Sequence, residues 1–306
     1  MKYITIIIIA ITLFSCKKEI NIDVPDSERK IVLNAIVQQD SFFTANIFRS
    51  NHIQDDISKL LYYNNAKVDV LDNGSLIETL TLDSVGHYSS KTAKAVVGHE
   101  YEFSVSVPQL KKASGKTKLL PVIPIISIDS IGTATEEYYY GGDSPIYTLY
   151  GIKFKDTPGQ KDYYRIKLNL PAYKDTTIDY YTGDTNIYNN YYSIGNYTND
   201  PSIVVWDWID DYYYFSDILF DGKEYVFQYA ILFDGNELPN DITKQDFSIS
   251  LEHITYDFFK YMQGVSMQYD AEDMQLFYQA APVLNNVTDG FGMVGAASVS
   301  KKPLQE

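Results

Sequence analysis

Cysteine is almost missing from this 306-residue chain: Cys16 is the only one. A single thiol excludes an internal disulfide and a thiolate metal site, so packing must hold the fold. Histidine is scarce as well. His52, His87, His99 and His253 are isolated, and none has a second His, a Cys or a patterned carboxylate at metal-ligand spacing. Positive charge is in short supply: 25 Lys and Arg face 40 Asp and Glu, for a formal net charge of −15. So acidic a body argues against nucleic acid or an anionic bilayer surface as partner, because both need clustered basic side chains. No Gly-x-Ser-x-Gly elbow, Walker loop or zinc-protease helix occurs. The paired carboxylates of a glycosidase meet only in the fold, and nothing in the sequence selects one pair from 40 acidic residues. The expectation is a non-catalytic protein with no cofactor and no metal.

A long apolar run occurs only at the start, in Met1-Lys-Tyr-Ile-Thr-Ile-Ile-Ile-Ile-Ala-Ile-Thr-Leu-Phe-Ser-Cys16. About twelve residues at 1.5 Å each span roughly 18 Å as a helix, short of a hydrocarbon core of about 30 Å. One Lys, an apolar stretch and Leu-Phe-Ser before the cysteine have the layout of a bacterial lipoprotein signal. Leu13 at −3 and Ser15 at −1 suit the cleavage box, while Phe14 at −2 is unusual. Residues 1–15 are read as the signal and Cys16 as the lipidation site, the protein meeting its membrane through that N-terminal lipid. Cleavage would remove 15 of 306 residues and one charge, Lys2, leaving 291 residues with a net charge of −16.

The chain as a whole is 45% hydrophobic, enough for ordinary cores. After a polar tether over 16–21, short alternating segments follow at 8–12-residue spacing: Lys30–Val37, Phe43–Phe48, Ala66–Leu71, Ile77–Leu82, Gly86–Ser89 and Tyr101–Val107. Asp72-Asn73-Gly74 is a strong hairpin turn between two of them. The pattern predicts a β-sandwich over 22–108. Leu110–Lys118 carries four lysines and Pro121–Ile126 is stiff, so 109–124 is read as a linker, with a solvated edge strand as the other reading of the lysines. Residues 125–306 form a second β-rich domain. Its strands are Tyr147–Phe154, Tyr163–Leu168, Tyr225–Phe233 and a glycine-punctuated last strand at Gly290–Val299. Residues 171–199 are a long loop or irregular hairpin. One helix is expected from Tyr256, capped by Thr255, with Phe258, Tyr261, Met262 and Val265 on one face, and a second short helix over 270–278. The class is mainly β.

What the chain has in excess is tyrosine, 28 residues against two tryptophans, much of it in runs such as Tyr163-Tyr164, Tyr180-Tyr181, Tyr191-Tyr192 and Tyr212-Tyr213-Tyr214. Adjacent strand residues face opposite ways, so each pair places one ring in the core and one outside. Where the cluster looks like loop, the rings suit a glycan or peptide. The candidate ligand residues are Tyr180, Tyr181, Tyr191, Tyr192, Tyr197, Trp206 and Trp208, with one tryptophan expected in the core. Asp207, Asp210 and Asp211 are the nearest thing to calcium ligands, but the alternating oxygens and central Gly of an EF-hand are absent.

Several segments in this order resemble an uncharacterised family of Bacteroidota outer-membrane lipoproteins known only as a domain of unknown function. They are Cys16 with Ile20–Pro25, Lys30–Asn34, Ala66–Gly74, Gly86-His-Tyr88, Gly98–Tyr101, Phe154-Lys-Asp-Thr-Pro158, Tyr163-Tyr-Arg165, Ser216-Asp-Ile-Leu-Phe-Asp-Gly222, Ser250–Tyr261, Pro282-Val and Asp289–Ala296. Ala281 and Asp289-Gly290 stand where the family usually has Glu and Asn-Gly. The first domain also resembles the carboxypeptidase-regulatory, immunoglobulin-like type of sandwich, through Ala66-x-Val-x-Val and Gly86-x-Tyr88. The resemblance implies an outer-membrane lipoprotein accessory to a TonB-dependent receptor barrel, docking on it or capturing its substrate. It supplies no catalytic residues. A structural or adhesion lipoprotein of the envelope fits the same features, and a surface hydrolase fits them less well.

Overall fold

The computed structural model describes residues 28–52, 55, 61–135, 145–178, 185–191, 194–207, 210–233, 242–273 and 282–305, with backbone alone for 173–178, 185–191 and 270–273. Within them the chain is mainly β with a single α-helix. Eight strands come first: β1 (Ile31–Gln38), β2 (Phe42–Arg49), β3 (Lys67–Asp72), β4 (Ser75–Thr79), β5 (Thr81–Ser84), β6 (His87–Lys94), β7 (Glu100–Ser106) and β8 (Ala113–Lys118). Ten follow: β9 (Ile125–Thr135), β10 (Ile146–Lys155), β11 (Tyr163–Asn169), β12 (Ala172–Ile178), β13 (Thr185–Tyr191), β14 (Asn196–Tyr197), β15 (Ile203–Asp207), β16 (Tyr212–Ser216), β17 (Glu224–Ile231) and β18 (Ser248–Ile254). Helix α1 (Tyr256–Asp273) precedes β19 (Val287–Thr288) and β20 (Phe291–Pro303).

One nine-stranded sheet, in the order β15-β16-β11-β18-β20-β1-β2-β6-β5, runs through both halves of the chain. Its β1 end is covered by the five-stranded sheet β19-β8-β7-β3-β4, and its β18 end by the four-stranded sheet β14-β17-β10-β9. Strands β12 and β13 pair with each other as a separate hairpin. The first core is built by alternation: Ile31, Leu33, Ala35 and Val37 of β1 are buried, while their neighbours are half-buried or exposed. Phe43, Val68, Phe103 and Val105 meet them from the other strands. The second core is aromatic, with Tyr150, Phe154, Tyr164, Phe215, Phe227, Tyr229 and Phe247 among its largest buried side chains.

Strand β20 joins the two. Phe291–Ala297 runs parallel to Val32–Gln38 of β1, and Ala297–Pro303 runs antiparallel to β18. Val294 and Ala296 lie in the first core and Leu304 in the second. Where β20 leaves β1, the Gln39 side chain prolongs the ladder: its Nε2 donates to Val299 O (2.8 Å) and its Oε1 accepts the Val299 N–H (2.9 Å).

The structure corrects several expectations. Residues 109–124 are not a free linker. Ala113–Lys118 is β8, paired with β7 on one side and with β19 on the other, which is the strand reading of the lysine run. Its alternate residues Ala113, Gly115 and Thr117 face inward and the lysines outward. Beyond it Leu119 is fully buried, Ser298 Oγ donates to Leu120 O, and the Ile125 N–H donates to Ser300 Oγ (2.9 Å). The boundary at 108 therefore cuts through the first sandwich, which needs β8, β19 and half of β20. The expected strand Ile77–Leu82 is divided, because Leu80 turns into the core and donates its N–H to Val68 O. β4 stays with β3, and β5 crosses to the other sheet. The Asp72-Asn73-Gly74 turn is present, with positive φ at Asn73 (47°) and Gly74 (84°). Thr255 starts the helix differently from a simple cap. Its carbonyl accepts the Phe259 N–H, but its hydroxyl accepts the Ala296 N–H of β20 (3.3 Å), tying helix to sheet. The expected second helix over 270–278 is continuous with α1 as far as Asp273, and 274–278 lie outside the described residues.

Two outcomes follow from the shared strand. Gly292 has φ of 116°, and a Cβ there would run into the Leu33 carbonyl. Gly292→Ala should therefore lower unfolding free energy by at least about 2 kcal/mol in a urea titration. An isolated 22–108 fragment, lacking β8, β19 and β20, should show no cooperative thermal transition by circular dichroism.

Candidate functional site

Among the described residues, the second sandwich has an open side where β14 and β15, the end strands of its two sheets, face away from the first sandwich. Trp206 on β15 is 54% exposed, and its indole lies parallel to the Tyr213 ring, 6.0 Å away at 11°. Tyr213 is buried and meets Tyr229 edge-on (5.7 Å, 85°), and Tyr229 donates its hydroxyl to Asn196 Oδ1 (2.8 Å). Asn196 in turn donates to Asp211 Oδ2 (3.1 Å), closing the two end strands together. Trp206 is thus a surface ring seated on a core ring. Tyr197 is half-buried and packs edge-on against buried Tyr147 (4.7 Å, 88°). Tyr191 ends β13 opposite Ala172. Tyr180, Tyr181, Tyr192 and Trp208 lie outside the described residues. Of the seven proposed ligand residues, Trp206 and Tyr197 alone have described side chains; both lie on this side, and Trp206 is the more solvent-facing of the two.

The tyrosine runs obey the alternation rule with one addition. Tyr164 enters the second core while Tyr163 packs on Phe259 of α1 (4.7 Å). Tyr213 enters the core, and Tyr212 and Tyr214 point to the opposite face, where α1 covers them. Beneath the helix lies a buried ion pair. Arg165 Nε donates to Glu252 Oε2 (2.7 Å), Tyr212 donates to Glu252 Oε1 (2.9 Å), and the guanidinium sits 4.0 Å from the Tyr212 ring. Burial works hardest against the Arg165 charge, but Glu252, Tyr214 and Tyr212 together outweigh it and the net shift is upward. Burial pushes the Tyr214 phenol up to about 12 despite the nearby Arg165. Every charge here has a partner, and the cluster reads as cement between helix and sheet.

A second constellation forms where the turn after β10 meets the turn after β16. Tyr164 donates its hydroxyl to Asp156 Oδ1, and the Gly222 N–H donates to Asp156 Oδ2 (2.7 Å). The Asp162 N–H donates to Asp217 Oδ2 (3.0 Å), and the Gly159 N–H to Asp221 Oδ1 (2.8 Å). Carboxylate oxygens of Asp156, Asp217 and Asp221 lie within 4.8 Å of one another. Burial pushes the Asp217 carboxyl up, and Asp156, Asp162 and Asp221 push it the same way against the Asp162 N–H. A cavity of about 430 Å³ opens beside Asp217 and Asp221, bordered by Gly159, Lys161, Tyr163 and Ile218. Asp156 lies in Phe154–Pro158, and Asp217 and Asp221 lie in Ser216–Gly222. Two segments carrying the family resemblance are therefore clasped together here. Sequence spacing could not reveal it, because Asp156 stands more than 60 residues before Asp217 and Asp221. By contrast, Asp210 N–H reaches Asp207 Oδ1 (3.5 Å) and Asp211 holds Asn196, a turn rather than a ligand set.

Burial separates the rings of the open side into two kinds. Trp206→Ala should cost under about 1 kcal/mol, because the indole stands mostly in water. Tyr213→Ala should cost about 3 kcal/mol or more, because it empties the core beneath. Parallel denaturant melts of the two variants test the distinction.

No curated protein and no solved structure is detectably similar to this chain. A family model described as a domain of unknown function, DUF4249, matches residues 17–303. That match takes in every strand of both sandwiches and α1, so the chain belongs to the DUF4249 family.

Proposed function

We propose that the protein is a lipid-anchored, non-catalytic component of a Bacteroidota outer membrane, serving a TonB-dependent receptor barrel as an accessory or substrate-capture subunit. The observation that carries the anchor is Cys16: the only thiol of the chain, placed directly after its one long apolar run. With a net charge of −15, the body as a whole is repelled by an anionic lipid surface, so the acyl chains supply the attachment. Two or three chains at about 0.8 kcal/mol per buried methylene are sufficient. The capture role is supported by the open side of the second sandwich. There Trp206 offers a ring held by Tyr213, and an aromatic plane covers the apolar face of a sugar or peptide at small rotamer cost. Among the described residues, the end strand β15 also leaves one side of its backbone unpaired by any other strand, a second means of holding an extended peptide.

Cys16→Ser should abolish sedimentation with membranes after a detergent-free wash. Retention of that variant on membranes at high salt would place the anchor elsewhere. Pull-down of the lipidated protein from native membranes should bring a receptor barrel with it, and Trp206→Ala should weaken that association without lowering the melting temperature. Recovery of envelope scaffold proteins without a barrel would favour the structural or adhesion reading.

A further inference from the structure

We infer that the clasp between the turns after β10 and β16 is a site for a hard divalent cation of calcium's size, held by Asp156, Asp217 and Asp221. Their oxygens lie within 4.8 Å of one another, and two oxygens bound to one Ca²⁺ at 2.3–2.6 Å can stand up to about 5 Å apart. All three donors are carboxylates, the chemistry of calcium and magnesium rather than of zinc or copper. A carboxylate offers about four lone-pair positions. The hydrogen bonds described use two on Asp156 and one each on Asp217 and Asp221, so each retains capacity for a metal. Those same bonds orient the carboxylates from behind, through the Tyr164 hydroxyl and three backbone N–H groups. Burial first, then the Asp156 carboxylate, pushes the Tyr164 phenol far up, which keeps it a donor to Asp156.

A second observation, independent of the three ligands, comes from Asp162 beside them. This residue is 5% exposed, and its N–H donates to Asp217. Its Oδ1 pairs with His253 Nε2 (3.1 Å), but its Oδ2 is buried and has no hydrogen-bond partner among the described residues. A buried carboxylate oxygen without a donor carries an unrelieved desolvation cost. It is one of four carboxylates gathered in one place: Asp156, Asp162 and Asp217 are buried, and Asp221 is exposed. Among the described residues, His253 is the one basic side chain in an ion pair with any of them. Lys161 borders the neighbouring cavity but is in no ion pair with the four. A divalent cation would offset this concentration of negative charge and polarise water toward Asp162 Oδ2. The cavity beside Asp217 and Asp221 gives it a route from solvent.

The full mature chain, stripped with chelator and dialysed, provides the test, with calcium alone as the probe. Calcium at about 1–5 mM should raise the melting temperature by a few degrees, as expected for a site in the range of about 0.1–1 mM. Terbium, a calcium substitute, should show emission sensitised by tyrosine excitation, since Tyr163 and Tyr164 border the site. Asp221→Asn keeps an acceptor for the Gly159 N–H and lies at the surface, so it should melt within about 2 °C of the parent without metal. It should nevertheless lose the calcium shift and at least fivefold of the terbium affinity. Asp207→Asn, at the other acidic turn, should retain both responses. Three results would overturn the inference: no shift and no emission at about 10 mM metal, responses undiminished in Asp221→Asn, or loss in Asp207→Asn instead. An equal response to magnesium would overturn the size assignment.

Discussion

The structure depends on the pairing of one strand with two strangers. β20 lies parallel to the first strand of the fold along its first half and antiparallel to β18 along its second. A parallel neighbour cannot be reached by a hairpin, and here the crossover between β1 and β20 contains almost the whole described chain. The consequence is that neither sandwich is complete until the C-terminal strand has been placed. Val287, Val294 and Ala296 are members of the first core, although they lie about 250 residues beyond Ile31. Contacts of such separation are entropically expensive to make and slow to find, so folding should be late-committing and cooperative across both halves.

That pairing also explains why the middle of the molecule is crowded with small residues and side-chain hydrogen bonds. Gly292 and Gly295 let β20 approach the Leu33 carbonyl on one side and Phe258 of the helix on the other. Ser298, Ser300, Gln39 and Thr255 each bond to a backbone group of a different segment. His253 adds Pro121 O (2.8 Å) to its contact with Asp162. A joint between two ordinary domains would be a polar linker. Here the joint is a buried polar seam, and the two sandwiches share one continuous sheet in place of a hinge.

Much of this was legible in the sequence, for reasons that mark where legibility stops. Period-two alternation located β1, β2, β3, β7, β10 and β11, and Asp72-Asn73-Gly74 announced its turn, because both signals are local. The helix register at Phe258, Tyr261 and Met262 was local too. What alternation cannot state is the partner of each strand. β8 reads as a linker because Lys111 and Lys112 before it and Lys116 and Lys118 within it dominate the local composition, and the small inward residues Ala113, Gly115 and Thr117 carry little apolar signal. The aspartates of the clasp belong to turns more than 60 residues apart, and no spacing rule joins them. The tyrosine excess was read correctly as strand chemistry. Among the candidate ligand rings whose side chains are described, Tyr197 is partly covered by Tyr147 and Trp206 is the more exposed, a difference that composition does not state.

The continuous sheet gives the proposed anchoring a geometry. If the lipid is on Cys16, twelve residues separate it from Glu28, a reach of at most about 40 Å when extended. The chain then enters at β1, in the interior of the nine-stranded sheet. The open side bearing Trp206 lies five strand positions away, about 24 Å across the sheet at roughly 4.8 Å per strand. Because β20 leaves no flexible joint between those places, tether length alone would set how far the open side can travel from the lipid. A jointed pair of domains would let the distal one search a volume. A fused sheet presents it at one orientation to whatever stands beside the anchor, which suits a fixed partner in the same membrane better than free capture from solution.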